Sequence, residues 1–157
     1  MDIARAVQRN FTNTANIKTA IEVCGLREFA EDNVLYSQTQ FDNLHKEWVA
    51  KLKAAFAGLS ITISYGRTAK IIAIYLKTAA VFCSRGECAK SKIIHPPIDS
   101  ILLNNLEKNA AIKGLKIIKW TNIEDVDYWW LVKTIRDYFN NFNWTLEAYW
   151  TPEREVV

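Results

Sequence analysis

The sequence predicts an all-α fold, an orthogonal bundle of six or seven helices. Apolar residues recur at spacings of three and four along several stretches. Helix stops such as Gly25, Gly58 and Pro152 fall at the ends of those stretches. Only Leu59–Ser64 alternates apolar and polar with β-branched residues, and it is too short to build a sheet. The 157 residues suit one domain, residues 1–157. A chain of this length buries roughly 70% of its unfolded surface, so it needs neither metal nor disulfide to fold. Half the residues are hydrophobic, with six Trp, six Tyr and seven Phe, a core-rich composition that excludes a disordered chain.

Taken in order, the first helix is predicted over Asp2–Phe11 and the second over Thr14–Cys24, with Gly25 as its stop. The stretch Leu26–Gln38 is ambiguous, with a short helix around Glu28–Asp32. The clearest amphipathic helix is Gln40–Ala57, whose Phe41, Leu44, Trp48, Leu52, Ala55 and Phe56 share a face. Gly58 ends it as the residue after the cap. Leu59–Ser64 is an extended piece or a connector. Arg67–Phe82 is the most apolar helix, and a polar loop, Cys83–Lys92, follows it. His95-Pro96-Pro97 cannot continue a helix. A helix after Asp99 carries Ile101, Leu102, Leu103 and Leu106. Thr121-Asn-Ile-Glu124 is a capping-box pattern and opens a helix striped by Tyr128, Leu131, Val132, Ile135, Tyr138 and Phe139. Trp144–Trp150 reads as a last short helix closed by Pro152.

The three cysteines, Cys24, Cys83 and Cys88, are odd in number and form no CxxC, so no disulfide framework is expected. Cys83, Cys88 and His95 match no common zinc spacing, and no metal site is expected. The start Met-Asp-Ile-Ala-Arg lacks a signal-peptide apolar region, and no apolar run approaches the ~20 residues of a membrane span. A reducing, cytoplasmic setting with no membrane partner is the expectation. The net charge is only +3. Arg85, Lys90, Lys92, Lys108, Lys113, Lys116 and Lys119 nevertheless crowd one segment, opposed only by Glu87, Asp99 and Glu107. Such a segment is either a solvated surface or a surface for a polyanion such as DNA.

Lys70 and Lys77 interrupt the most apolar helix seven residues apart, close to two turns, so both lie on one face with Arg67. In a buried helix such lysines must snorkel, pair with carboxylates or line a cleft. Burial disfavours the ammonium form and makes the amine a nucleophile able to form a Schiff base. Lys70, placed in the first turn of a helix starting near Arg67, gains further from the positive helix end. Asp99 directly precedes an apolar helical run and reads first as its N-cap. A capping carboxylate is held in place, and facing a cleft it can stabilise developing positive charge or act as a base.

The helix ending at Gly58, the turn Ile61–Gly66, the helix from Arg67 with Lys70 and Lys77, and Pro97-Ile98-Asp99-Ser100 resemble, in that order, the helix-hairpin-helix DNA glycosylase superfamily. The nearest branch is the archaeal 8-oxoguanine DNA glycosylases, which also carry AP lyase activity. The resemblance spans about Gln40–Leu106. It implies Lys70 as Schiff-base nucleophile and Asp99 as catalytic carboxylate, with Lys77 and His95 in support. DNA would be gripped by Tyr65, Gly66 and Arg67, joined by the basic Lys90, Lys92 and Lys116. No four-cysteine cluster follows, so the iron–sulfur branch is excluded and no cofactor is expected. A base-excising enzyme holds its flipped nucleotide between aromatic or apolar side chains; Tyr65, Trp120, Trp129, Trp130, Trp144 and Trp150 are candidates, with Trp120, Trp129 and Trp130 put forward for the pocket, against the plainer role of core packing. The function expected is DNA binding, base flipping and cleavage of the N-glycosidic bond. The alternative is a non-catalytic helical module that binds nucleic acid or protein.

Overall fold

The computed structural model describes residue 6 and residues 11–151. The helix expected over Asp2–Phe11 and the stop at Pro152 therefore lie almost wholly outside the described residues. The described chain is all-α: α1 (Thr14–Glu22), α2 (Leu26–Glu31), α3 (Gln38–Gly58), α4 (Tyr65–Leu76), α5 (Ser100–Ala110) and α6 (Asp125–Phe139). A π turn, Lys77–Phe82, prolongs α4, and two 3₁₀ turns cover Ala89–Lys92 and Trp144–Tyr149. No strand occurs among the described residues.

The boundaries follow local chemistry. α3 starts at a capping box formed by Ser37 and Gln40: Gln40 N–H donates to Ser37 Oγ at 3.2 Å, and Ser37 N–H donates to Gln40 Oε1 at 2.8 Å. At its other end Gly58 stays helical. The left-handed residue is Ser60, with φ of 59°. The capping box expected at Thr121–Glu124 does not form, and α6 begins only at Asp125. The reason is tertiary. Ser64, the N-cap of α4, donates its hydroxyl to Thr121 O at 2.6 Å, and Gly66 N–H donates to Ile123 O at 3.1 Å. The segment 120–123 is thus held against the start of α4 instead of starting its own helix.

α4 is the central element, packed against α2, α3 and α6. Nearly every residue from Tyr65 to Leu76 is buried, so the helix is apolar around most of its circumference. Gly66 allows the closest approach: a Cβ there would sit 1.9 Å from Trp120 O and 2.8 Å from Ile123 Cγ1. The chain from Ile93 to Ile98 then runs buried and non-helical, with Pro96 and Pro97 keeping it extended, and delivers Asp99 to the head of α5.

A chain of buried polar side chains ties α3, α4 and α6 together. Arg136 donates to both oxygens of Asp42 at 2.8 and 3.1 Å. A carboxylate only accepts, so His95 Nε2, 3.1 Å away, is the donor. His95 Nδ1 then accepts from Tyr128 OH at 2.9 Å. Longer contacts of 3.4 Å run from His45 Nε2 to Tyr128 OH and from Tyr65 OH to His45 Nδ1. Trp129 Nε1 donates to Tyr65 OH at 2.9 Å. One direction of donation is consistent from Trp129 through Tyr65, His45, Tyr128 and His95 to Asp42. Burial holds His45 well below the ordinary imidazole range and also lowers His95, where Asp42 opposes the shift. For Asp42, burial favours the neutral acid, but hydrogen bonds from His95 and Arg136 prevail and keep it ionised well below the usual range.

Two outcomes are expected. Gly66→Ala should destabilise by about 3 kcal/mol, since the added methyl meets backbone and not a flexible side chain; a urea midpoint equal to wild type would show that α4 and Trp120 separate freely. The histidines set the pH dependence. Their folded pKa values lie below the unfolded value near 6.5, so the unfolded state takes up protons first as pH falls. Urea midpoints should therefore drop between pH 7 and pH 5, and His45→Gln should flatten that slope while lowering stability at pH 7.

Candidate active site

The first turn of α4 is capped by Ser64, whose Oγ accepts from Arg67 N at 3.2 Å. Because the helix starts at Tyr65, Lys70 lies in its second turn and not its first. The charge of a helix end fades within one turn, so that contribution to Lys70 is small. What lowers its pKa is burial, opposed by Asp99 and more weakly by Glu147. The Lys70 side chain is 8% exposed. Its Nζ donates to Asp99 Oδ2 at 3.1 Å and sits 4.4 Å from the centre of the Trp120 ring.

Asp99 is the N-cap of α5, as its position before an apolar run suggested. Its Oδ1 accepts from Leu102 N at 3.0 Å, and Oδ2 accepts from Trp150 Nε1 at 2.9 Å as well as from Lys70. Donors from three parts of the chain fix the carboxylate. Lys77 pairs with Glu147 in the 3₁₀ turn 144–149 and lies 5.2 Å from the Phe82 ring. Lys70, Lys77, Asp99 and Glu147, with Ile74, Pro97, Trp150 and Ala6, line one cleft of about 330 Å³. The arrangement brings together a desolvated amine, a fixed carboxylate within hydrogen-bond reach and an apolar wall, which is what Schiff-base chemistry needs.

Other expected residues are placed elsewhere. His95 does not line the cleft; it is fully engaged by Asp42 and Tyr128. Tyr65 is buried with its hydroxyl bonded by Trp129, and Gly66 faces the Trp120 carbonyl, so neither presents itself to DNA. Lys90 turns inward: its Nζ donates to the carbonyls of Phe29 and Asp32 and to Asp32 Oδ1 at 2.7 Å. Arg67 is half-buried over the Phe11 ring at 5.0 Å. Lys92 is exposed, and Lys116 is exposed beside Glu107 at 3.3 Å. Of the three tryptophans proposed for a base pocket, Trp120 underlies Lys70. Trp129 instead joins the buried network beside Lys46, and Trp130 is 53% exposed beside Ile117 and Asp127.

Glu147 was absent from the sequence-derived site, and Trp150 stood in it only as one of six aromatic candidates. Their segment lies some seventy residues beyond the lysines, and the only signal was an aromatic-rich stretch. Among the described residues no three His, Cys, Asp or Glu side chains converge to hold a metal ion. No helix among them is long and apolar enough to cross a membrane.

These placements separate the basic residues. Lys92→Glu and Lys116→Glu should leave the fold intact. If DNA binds this face, each should weaken binding to all sequences alike and reduce the slope of log K against log[salt] by roughly 1. Lys90→Glu should instead lower the melting temperature sharply, since it sets a second carboxylate beside Asp32. Fluorescence anisotropy over a salt series, with thermal melts alongside, reads both; DNA binding that is independent of salt would refute the assignment. Comparison with known protein families, with curated proteins and with solved structures finds no match to this chain.

Proposed function

We propose that the protein is a DNA glycosylase with AP lyase activity, built on a helix-hairpin-helix-like arrangement and acting through Lys70 and Asp99. One observation carries the reading: a lysine with lowered proton affinity lies 3.1 Å from a carboxylate fixed by three donors, inside a small cleft. Withdrawing two charges from water costs desolvation energy that their attraction only partly offsets, so a buried pair is a poor device for stability alone. Here both partners are largely withdrawn from water, at 8% and 14% exposure.

The chemistry follows from the geometry. Asp99 accepts a proton from Lys70, and the free amine attacks C1′ of the deoxyribose. The N-glycosidic bond breaks, its electron pair leaves with the base, and Asp99 passes the proton it took from Lys70 to the departing base, which leaves Asp99 ionised. Asp99 stabilises the positive charge that develops at C1′. A proton on the new C1′–N bond then passes to O4′, the C1′–O4′ bond breaks with its electrons on O4′, and the nitrogen lone pair forms the protonated imine between Lys70 and C1′. The hydrocarbon and aromatic wall from Ile74, Pro97 and Trp150 keeps the amine desolvated. Trp120 beneath Lys70 lets its cationic forms persist without water.

A second reading has its own support. Lys70–Asp99–Trp150 and Lys77–Glu147 both fasten the C-terminal 3₁₀ turn to α4. Tyr65 and Gly66, the residues that a DNA-gripping hairpin would present, are buried. Under that reading the pairs are structural ties in a non-catalytic binding module.

Borohydride trapping on abasic and base-damaged duplexes separates the two. Wild type should form a covalent complex, Lys70→Gln none, and Lys77→Gln should still form it. Asp99→Asn should keep most of the α5 cap and lose rate, whereas Asp99→Ala should also cost about 0.5–2 kcal/mol of stability. The trapping rate should rise with pH and level off below 10.5, the ordinary lysine value, because burial lowers the Lys70 pKa. No trapping and no base release by wild type would leave the binding-module reading.

A further inference from the structure

The cleft holds two lysine–carboxylate pairs, although forming an imine at one lysine requires only one of them. The two carboxylates differ in what they can still accept. Both oxygens of Asp99 are committed, Oδ1 to Leu102 N and Oδ2 to Lys70 and Trp150. Glu147 Oε2 is held by Lys77, while its Oε1 accepts no hydrogen bond among the described residues. Glu147 lines the same cleft and is near enough for its charge to be felt at Lys70. Its position is set from outside the cleft. Asn143 caps the 3₁₀ turn by accepting from Thr145 N at 3.0 Å and is itself anchored through Nδ2 to Lys92 O at 3.1 Å.

We propose that Glu147 is the catalytic base of the strand-cleaving step, taking the C2′ proton from the imine, with Lys77 as the positioning residue that holds it. This rests on the reading of Lys70 as the nucleophile. In the protonated imine the C2′–H bond is acidified by the adjacent cationic C=N bond. Glu147 takes the proton. The C–H electron pair forms the C1′=C2′ double bond, and the former C=N π pair moves to the Lys70 nitrogen. As that pair returns, a C2′=C3′ double bond forms and the C3′–O bond breaks, its electrons leaving with the 3′ phosphate. Water then hydrolyses the conjugated imine, freeing Lys70. No oxidant or reductant is needed. Two carboxylates with separate tasks explain why the cleft carries two pairs: Asp99 serves formation of the imine and Glu147 its elimination.

The test uses the full chain on an end-labelled duplex with a single abasic site. Trapping is measured with borohydride, and strand cleavage without it. Glu147→Gln can still hydrogen-bond Lys77 but cannot take a proton. It should trap like wild type and cleave at least tenfold more slowly, so the ratio of cleavage to trapping falls. Lys77→Gln breaks the same ion pair but keeps the carboxylate, and should retain more of that ratio than Glu147→Gln does. A purely structural tie would make the two variants alike. Glu147→Asp guards against failure to fold: it keeps a carboxylate, one methylene shorter, and should recover cleavage over Glu147→Gln. A cleavage-to-trapping ratio in Glu147→Gln equal to wild type overturns the role of Glu147 while leaving Lys70 in place. A wild type that neither traps nor cleaves overturns the glycosylase reading, and this inference with it.

Discussion

The contact between Gly66 and the Trp120 carbonyl governs the rest of the structure. With no side chain at Gly66, the start of α4 lies directly on the segment 120–123, and Ser64 and Gly66 hydrogen-bond to it. This contact places the Trp120 ring beneath Lys70 and delays the start of α6. α4 is buried on nearly all sides, so its rotation is set by packing and cannot adjust to suit its lysines. The lysines emerge where that rotation puts them, and the structure meets them with carboxylates.

Those carboxylates come from two directions. Asp99 arrives at the end of a buried extended segment stiffened by two prolines and is then fixed as a helix cap. Glu147 arrives from the C-terminal 3₁₀ turn, with Trp150 beside it. The cleft is therefore assembled from α4, the head of α5 and a turn far along the chain. A carboxylate that caps a helix cannot swing away when its lysine changes charge, which gives Asp99 a fixed field instead of an adaptable one. Glu147 is held by Lys77 at one oxygen, and its other oxygen accepts no hydrogen bond among the described residues.

The buried network of Asp42, His95, Tyr128, His45 and Tyr65 is separate from the cleft but shares α4 with it. It fixes the helix at Tyr65, five residues before Lys70. His95 shows how adjacency in sequence misleads. Only four residues from Asp99, it turns into the core to meet Asp42 and Tyr128. Lys90 misleads in the same way. Read as part of a basic surface, it is spent on two carbonyls and Asp32.

The sequence by itself determined what local periodicity and capping chemistry can encode. The all-α class, the amphipathic α3, the burial of α4 with two lysines on one face, and Asp99 as the cap of α5 were all legible. Each depends on residues within a few turns of one another. Only the tertiary structure decided the matters that depend on long-range contact. It set the start of α6, because Thr121 and Ile123 give their carbonyls to α4. It buried Tyr65, Gly66 and Lys90, because packing and not composition selects which side of a helix or loop meets water. It also brought Glu147 and Trp150 to the lysines, a meeting of residues some seventy positions apart that no local pattern records, since hydrogen bonds and ion pairs depend on distance in space and not along the chain.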